Sequence, residues 1–152
     1  MGVVTTRAVL LRSHPYSETS LVLRFFSEDL GTVGVMARGA RRGGSRGGSS
    51  LSTFAGGSLT LYVKETRELQ TFKDFAVTCP RQALARDLLR FGGASVVGEL
   101  VLRHGGEAGA PALYGVLEEA LDALVATPPA DLVTTILASG WTVVATLGYH
   151  PV

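Results

Sequence analysis

At Cys79-Pro80 the hydrophobic period of this chain changes from two to that of a helix, so its 152 residues must build a sheet first and helices second. Residues 3–12 are rich in β-branched and apolar side chains, and His14-Pro15-Tyr16-Ser17 supplies turn chemistry after them. Leu21, Leu23 and Phe25 then alternate with Val22, Arg24 and Phe26. Glu28-Asp29-Leu30-Gly31 interrupts that run before residues 32–38 resume it, which predicts a tight hairpin. After a Gly- and Ser-rich stretch over 39–57, Leu59, Leu61 and Val63 alternate with Thr60, Tyr62 and Lys64. Residues 65–68 can turn, and 69–77 give a last strand. Five strands in about 75 residues predict a small closed or partly closed antiparallel β-barrel over residues 1–78.

Proline favours the first turn of a helix, so Pro80 opens the helical part, with Thr78 or Cys79 as its cap. Leu84, Leu88, Phe91, Ser95, Val101 and Leu102 trace one stripe, and Gly105-Gly106 ends it. A second stripe, Leu113, Leu117, Leu121 and Leu124, stops at Thr127-Pro128-Pro129. Asp131 can cap a third helix that turns Leu132, Ile136, Ser139 or Gly140, Val143 and Leu147 inward. Residues 79–152 therefore read as a small helical bundle, and the whole chain as α+β. The uncharged stretch 132–149 contains four threonines and two glycines, too polar a composition for a good membrane span.

The net charge of +1 hides an asymmetry. Residues 1–78 carry ten Arg and Lys against six Asp and Glu, whereas residues 79–152 carry four against seven. No acid lies between Asp29 and Glu65, while Arg38, Arg41, Arg42, Arg46 and Lys64 all do, which concentrates positive field in one region. Arginine offers planar donor forks to phosphate, and glycine lets the backbone approach it closely. The run lacks the lysine and the following helix of a nucleotide-binding P-loop. It suits a polyanion, and Tyr62, on the same strand face as Lys64, is the candidate for stacking on a base. The bland alternative is a solvated surface loop with no partner.

Chemistry of other kinds is thinly represented. A lone Cys79 excludes a disulfide framework within these residues and fits a reducing compartment such as the cytoplasm. No secretory leader is evident at the N-terminus. His14, His104 and His150 lack metal-ligand spacing, and Glu118, Glu119 and Asp122 form a solvated helical face without a nucleophile. The expectation is a non-enzymatic protein without a cofactor.

Residues 8–13, residues 16–27 from Tyr16 to Ser27, Gly31-Thr32-Val33 and Ala37-Arg38-Gly39-Ala40-Arg41-Arg42 resemble, in order and spacing, the N-terminal domain of the RecO recombination mediators. Leu51, Phe54, Glu99-Leu100 and the segment Leu147-Gly148-Tyr149-His150-Pro151 extend the resemblance. It implies an OB-fold barrel followed by a helical domain. It implies binding of single- and double-stranded DNA, annealing of complementary strands, and help in loading the RecA recombinase. The implied partners are RecR and the C-terminal tail of single-strand binding protein, in the bacterial cytoplasm at the nucleoid. Arg38, Arg41 and Arg42 match the family's basic run after the third strand, and Arg12 and Arg24 match basic strand positions. Arg46, Tyr62, Lys64 and Lys73 join them on charge and strand phase alone. Many family members continue into a Cys-rich, zinc-binding region, which the helical domain here is expected to stop short of. The competing reading is a protein-interaction module whose helical half binds partners while the Gly/Arg loop is a passive linker.

Overall fold

A computed structural model describes residues 2–40 and 51–148. Five strands, β1 (Gly2–Pro15), β2 (Leu21–Ser27), β3 (Gly31–Ala37), β4 (Gly56–Val63) and β5 (Leu69–Cys79), precede three helices, α1 (Leu88–His104), α2 (Pro111–Ala126) and α3 (Leu132–Thr146). Hydrogen-bonded neighbours run β1-β2-β3-β5-β4, and β4 pairs back onto β1, so the sheet closes on itself. The expectation of an all-antiparallel sheet is corrected at one seam. β3 and β5 pair in parallel through Gly34, Val35 and Met36 against Leu69, Gln70 and Thr71, which makes the sheet mixed. Parallel neighbours cannot be joined by a tight hairpin. The chain between them leaves through the 39–55 connection and β4 before it returns.

The strand β1 carries the division of the core. Ala8, Val9, Leu10 and Leu11 are all buried, a continuous run that needs cover on both faces. Ala8 and Leu10 point into the barrel with Leu23, Phe25, Val35, Leu59, Leu61, Phe72 and Phe75. Val9 and Leu11 point outward into a second cluster with Phe26, Phe54, Leu84, Val97, Val101 and the α2 stripe Leu113, Leu117, Leu121 and Leu124. The helices therefore sit on the outer surface of the barrel and share its first two strands as their floor.

Strand phase alone puts Phe72 and Phe75 on opposite faces, yet both are buried in the barrel. Between the pairs Leu61↔Phe72 and Thr60↔Asp74 the β5 strand has one residue too many. Lys73 is the bulged residue, and the extra step returns Phe75 to the inner face, edge-on to Phe25 at 5.0 Å between ring centroids.

The start of the helical half also differs from the sequence reading. Pro80 does not begin a helix: Arg81 takes a left-handed conformation (φ 49°), and a short 3-10 turn over Gln82–Arg86 follows. α1 starts at Leu88, where the Asp87 carboxylate accepts from the Leu89 and Arg90 amides. A short acceptor at the N-cap satisfies the free first-turn donors, which neither Thr78 nor Cys79 is placed to do. Asp131 stands at the N-cap of α3, but its side chain makes no cap bond.

The buried face of α1 consists of Gly93, Ala94, Val97, Gly98 and Val101, not the larger stripe expected, and Leu88 is 89% exposed. Small residues let α3 and the barrel approach closely: a Cβ at Gly93 would sit 2.5 Å from Ile136, and one at Gly98 would sit 3.3 Å from Leu11. Arg90 donates to the carbonyls of Leu124 and Val125, closing the C-terminus of α2 against α1. Leu89, Val96, Val133, Leu137 and Trp141 remain exposed on α1 and α3. Among the described residues, no helix is long and apolar enough to cross a membrane.

Arg81 joins the two halves. Its side chain is 1% exposed, donating from Nη1 to the Phe54 carbonyl at 2.8 Å and from Nε to Asp122 Oδ1 at 2.8 Å. Phe54 also has a positive φ (76°), and its amide donates to the Leu10 carbonyl while its ring meets Phe91 edge-on. A Cβ on Gly56 would lie 3.0 Å from Arg81 Nη1, so glycine leaves the guanidinium its path.

Two stability experiments follow from this packing, both read by urea unfolding. Arg81→Ala should cost about 2–4 kcal/mol, because a buried carbonyl loses its donor and a cavity opens. Adjacent glycines should respond with opposite sign. Gly92, which has open space around it, should gain about 0.5–1 kcal/mol as alanine in a helix interior. Gly93→Ala should lose about 1–3 kcal/mol by overpacking against Ile136.

Candidate nucleic-acid interface

The hairpin register decides which charges meet. Inward residues Leu23 and Phe25 leave Val22 and Arg24 on the outer face of β2. Across β1 the partners of these outward residues are His14 and Arg12, because an irregularity between Leu10 and Arg12 shifts the outward positions along the strand. Two arginines thus stand opposite each other on one sheet face, an arrangement that is unfavourable unless an anion lies nearby. Arg12 has one: it forms an ion pair with Glu99 of α1. Arg24 makes no ion pair with any described residue.

On its other side Arg24 faces Gly34 of β3, where a Cβ would come within 3.4 Å of the guanidinium and 2.9 Å of Leu69. The missing side chain lets Arg24 lie across the sheet. A groove of about 770 Å³ opens there, with Val22, Arg24, Thr32 and Gly34 as its floor and the β4–β5 turn as its wall. That turn is braced. Gln70 accepts from the Lys64 amide at 2.8 Å and donates to the carbonyls of Lys64 and Arg67, and Arg67 donates to Thr71 Oγ1. His14 and Arg67 add basic groups to the groove, whereas Glu65, Glu68 and Glu107 line it too. The groove is mixed in charge, with Arg24 central to the floor.

A second cluster lies on β4 and β5. Lys73, thrown outward by the bulge, stands over the Tyr62 ring with its Nζ 5.7 Å from the centroid. One face of that ring is thereby occupied by a cation. Lys64 is exposed at the end of β4. Strand order separates this cluster from Arg24 by β3 on one side and β1 on the other.

The residues singled out from sequence therefore fall into groups. Arg12 and Arg24 are brought together, Tyr62 and Lys73 are brought together, and Arg38 is exposed just beyond β3. Arg41, Arg42 and Arg46 lie outside the described residues. Sequence reasoning missed Arg67 and His14 as groove residues and took Tyr16 only as turn chemistry. Tyr16 is 67% exposed at the β1–β2 turn, two residues beyond His14. It also missed the coupling of Glu99 to both Arg12 and Arg103, of which only the helical spacing from Glu99 to Arg103 could have been read in advance.

Other titratable groups serve packing. Burial, then a hydrogen bond from its hydroxyl to Glu118 at 2.6 Å, raises the Tyr114 pKa. The Arg7 guanidinium lies over the same ring and pairs with Glu28. Burial also raises the Cys79 thiol, which lies near Asp122. No group of three or more His, Cys, Asp or Glu among the described residues is arranged to hold a metal ion.

Comparison with known proteins gives this geometry a context. Residues 1–80 match the family model described as "Recombination protein O N terminal". Among curated relatives, the "DNA repair protein RecO" of Salinibacter ruber is 43% identical over 73 residues, 48% of this chain and 28% of its own length. The protein of that name from an Exiguobacterium species is 33% identical over 129 residues, 83% of this chain and 50% of its own. That of Synechococcus elongatus is 28% identical over 148 residues, 97% and 55%. The chain spans about half the length, or less, of the curated relatives it matches.

Proposed function

The chain belongs to the RecO family, and from that premise we propose that it is a non-enzymatic DNA-repair protein whose OB-type barrel grips the sugar-phosphate backbone of DNA. The observation that carries this reading is Arg24: it lies across Gly34 on the groove floor, opposite a second arginine and without a carboxylate partner among the described residues. Small barrels of this topology bind oligonucleotides on the face of strands two and three, beside the turn between strands four and five. The groove occupies that place. Arg38 leads from the same barrel into the Arg41, Arg42 and Arg46 segment, so phosphate contacts can continue along the chain. Exposed Tyr16 is a better platform for a base than Tyr62, whose ring already carries Lys73.

In this reading single- and double-stranded DNA are both ligands, because phosphate contacts do not depend on base identity. Neutralising two complementary strands on one surface favours their annealing. Assistance to RecA together with RecR and the tail of single-strand binding protein is the corresponding role in the cell, carried out in the cytoplasm at the nucleoid. A protein-partner role for the helical half has its own support, the exposed apolar residues Leu88, Leu89, Val96, Val133, Leu137 and Trp141. If that were the whole function, the Gly/Arg stretch would be a passive linker.

Titration of labelled single strands separates the two. Affinity of the unaltered protein should fall steeply with salt, each phosphate contact adding about 0.7 to the logarithmic slope for single strands. Arg24→Ala should weaken binding by roughly three- to tenfold and lower the slope by about 0.7. A combined Arg38→Ala, Arg41→Ala and Arg42→Ala variant should lose most of the affinity. DNA binding that ignores salt and survives all these changes would leave only the protein-partner role.

A further inference from the structure

Glu99 occupies a place on α1 that helix packing does not require. Its carboxylate accepts from Arg103 Nε at 2.6 Å and pairs through its other oxygen with Arg12 of β1. Three exposed or half-exposed side chains thus bridge the helical half to the basic face of the barrel, with side-chain exposures of 34% for Glu99, 49% for Arg12 and 71% for Arg103. Two guanidiniums sharing one carboxylate leave a net positive charge beside Arg24, the cross-strand partner of Arg12. The two guanidiniums, Arg103 foremost, hold the Glu99 carboxyl below the usual carboxylate range.

A carboxylate held between two arginines presents the same pair of oxygens that a phosphodiester would. We propose that Glu99 is a resident stand-in for a backbone phosphate, displaced when nucleic acid binds, so that the phosphate track runs from Arg24 through Arg12 onto Arg103 of α1. This rests on the DNA-binding reading above and extends it to the helical half. Exposed ion pairs are weak and exchange readily, so the resident carboxylate lowers affinity without blocking the site.

The test uses the whole chain, a labelled oligothymidine strand, and salt raised from about 50 to about 200 mM. Two charge-matched controls accompany it: Glu119→Gln on the exposed face of α2 and Arg86→Ala in the 3-10 turn. Glu99→Gln should bind roughly five- to tenfold more tightly than the unaltered protein at low salt, with a slope steeper by about 0.7–1.4, one or two added phosphate contacts. Arg103→Ala should bind about threefold more weakly, with a slope shallower by about 0.7. The controls should each stay within about twofold, the effect of net charge alone.

The proposal is overturned if Glu99→Gln binds no more tightly than Glu119→Gln, or if Arg103→Ala binds no more weakly than Arg86→Ala. Should Glu99→Gln fail to fold, as thermal melting would show, Arg103→Ala decides, since it leaves the Arg12–Glu99 pair in place. Absence of salt-dependent binding by the unaltered protein would overturn the DNA reading itself. Normal binding with variants that match their controls would overturn only the role of Glu99 and Arg103.

Discussion

A buried guanidinium at position 81 fixes how the two halves of this protein meet. Arg81 reaches the Phe54 carbonyl, at the end of the connection that carries the basic segment, and Asp122, on the second helix. Charge inside a protein is tolerated only with hydrogen-bonding partners, and a pair formed with a half-exposed acid such as Asp122 loses less hydration than a fully buried one. The geometry is demanding: Arg81 and Phe54 both take left-handed backbone conformations, and Gly56 has no side chain in the guanidinium's path. Such local costs persist where the surroundings over-determine them. Here they are offset by Phe54 and Leu84, buried in the cluster that joins barrel to helices.

That cluster exists because the first strand is apolar on both faces. A barrel strand open to water on one side would alternate apolar with polar residues, whereas Ala8 to Leu11 do not alternate at all. The outward pair Val9 and Leu11 needs cover, and α1 and α2 supply it. α1 can come close because its buried face includes Gly98, against Leu11 and Phe54, and Gly93, against Ile136 of α3. Leu88, Leu89 and Val96 are left exposed, which accounts for the apolar surface shared with α3.

Much of this was legible in the sequence, and what was not has identifiable physical causes. The five strands, the hairpin at Gly31, the leucine stripe of α2 and the end of α1 at Gly105 are local signals of period and turn chemistry. The parallel seam between β3 and β5, the bulge at Lys73 and the left-handed Arg81 arise from closure of the sheet and from its junction with the helices, which no local window contains. A one-residue bulge is invisible to strand phase, yet it reverses the face of the residues that follow it, and so Phe72 and Phe75 both face inward although strand phase sets them on opposite faces. α1 misled for the opposite reason, since hydrophobic size marks the buried face only where neighbouring elements keep their usual distance. At the candidate interface Arg12 and Arg24 could be named as basic strand residues, but their juxtaposition depended on a register irregularity near Leu11.

The charge asymmetry along the chain takes on a spatial meaning once the halves are assembled. The barrel half is basic and the helical half acidic, and acids near the junction point back toward the barrel: Glu99 to Arg12, and Glu118, through Tyr114, to the ring beneath Arg7, while Asp122 pairs with Arg81 just after the last strand. Part of the helical half's negative charge is thus spent on the barrel's own arginines. The contacts differ in what could replace them. Arg81 is enclosed and has no access for a competing anion, so its pairing is structural. Arg12 is half-exposed and stands beside an arginine that has no acid partner among the described residues, so any phosphate reaching Arg24 is already within range of a second cation whose present partner is weakly held. Burial therefore sorts the arginines into those that hold the fold together and those free to change partners, a distinction that sequence charge alone does not make.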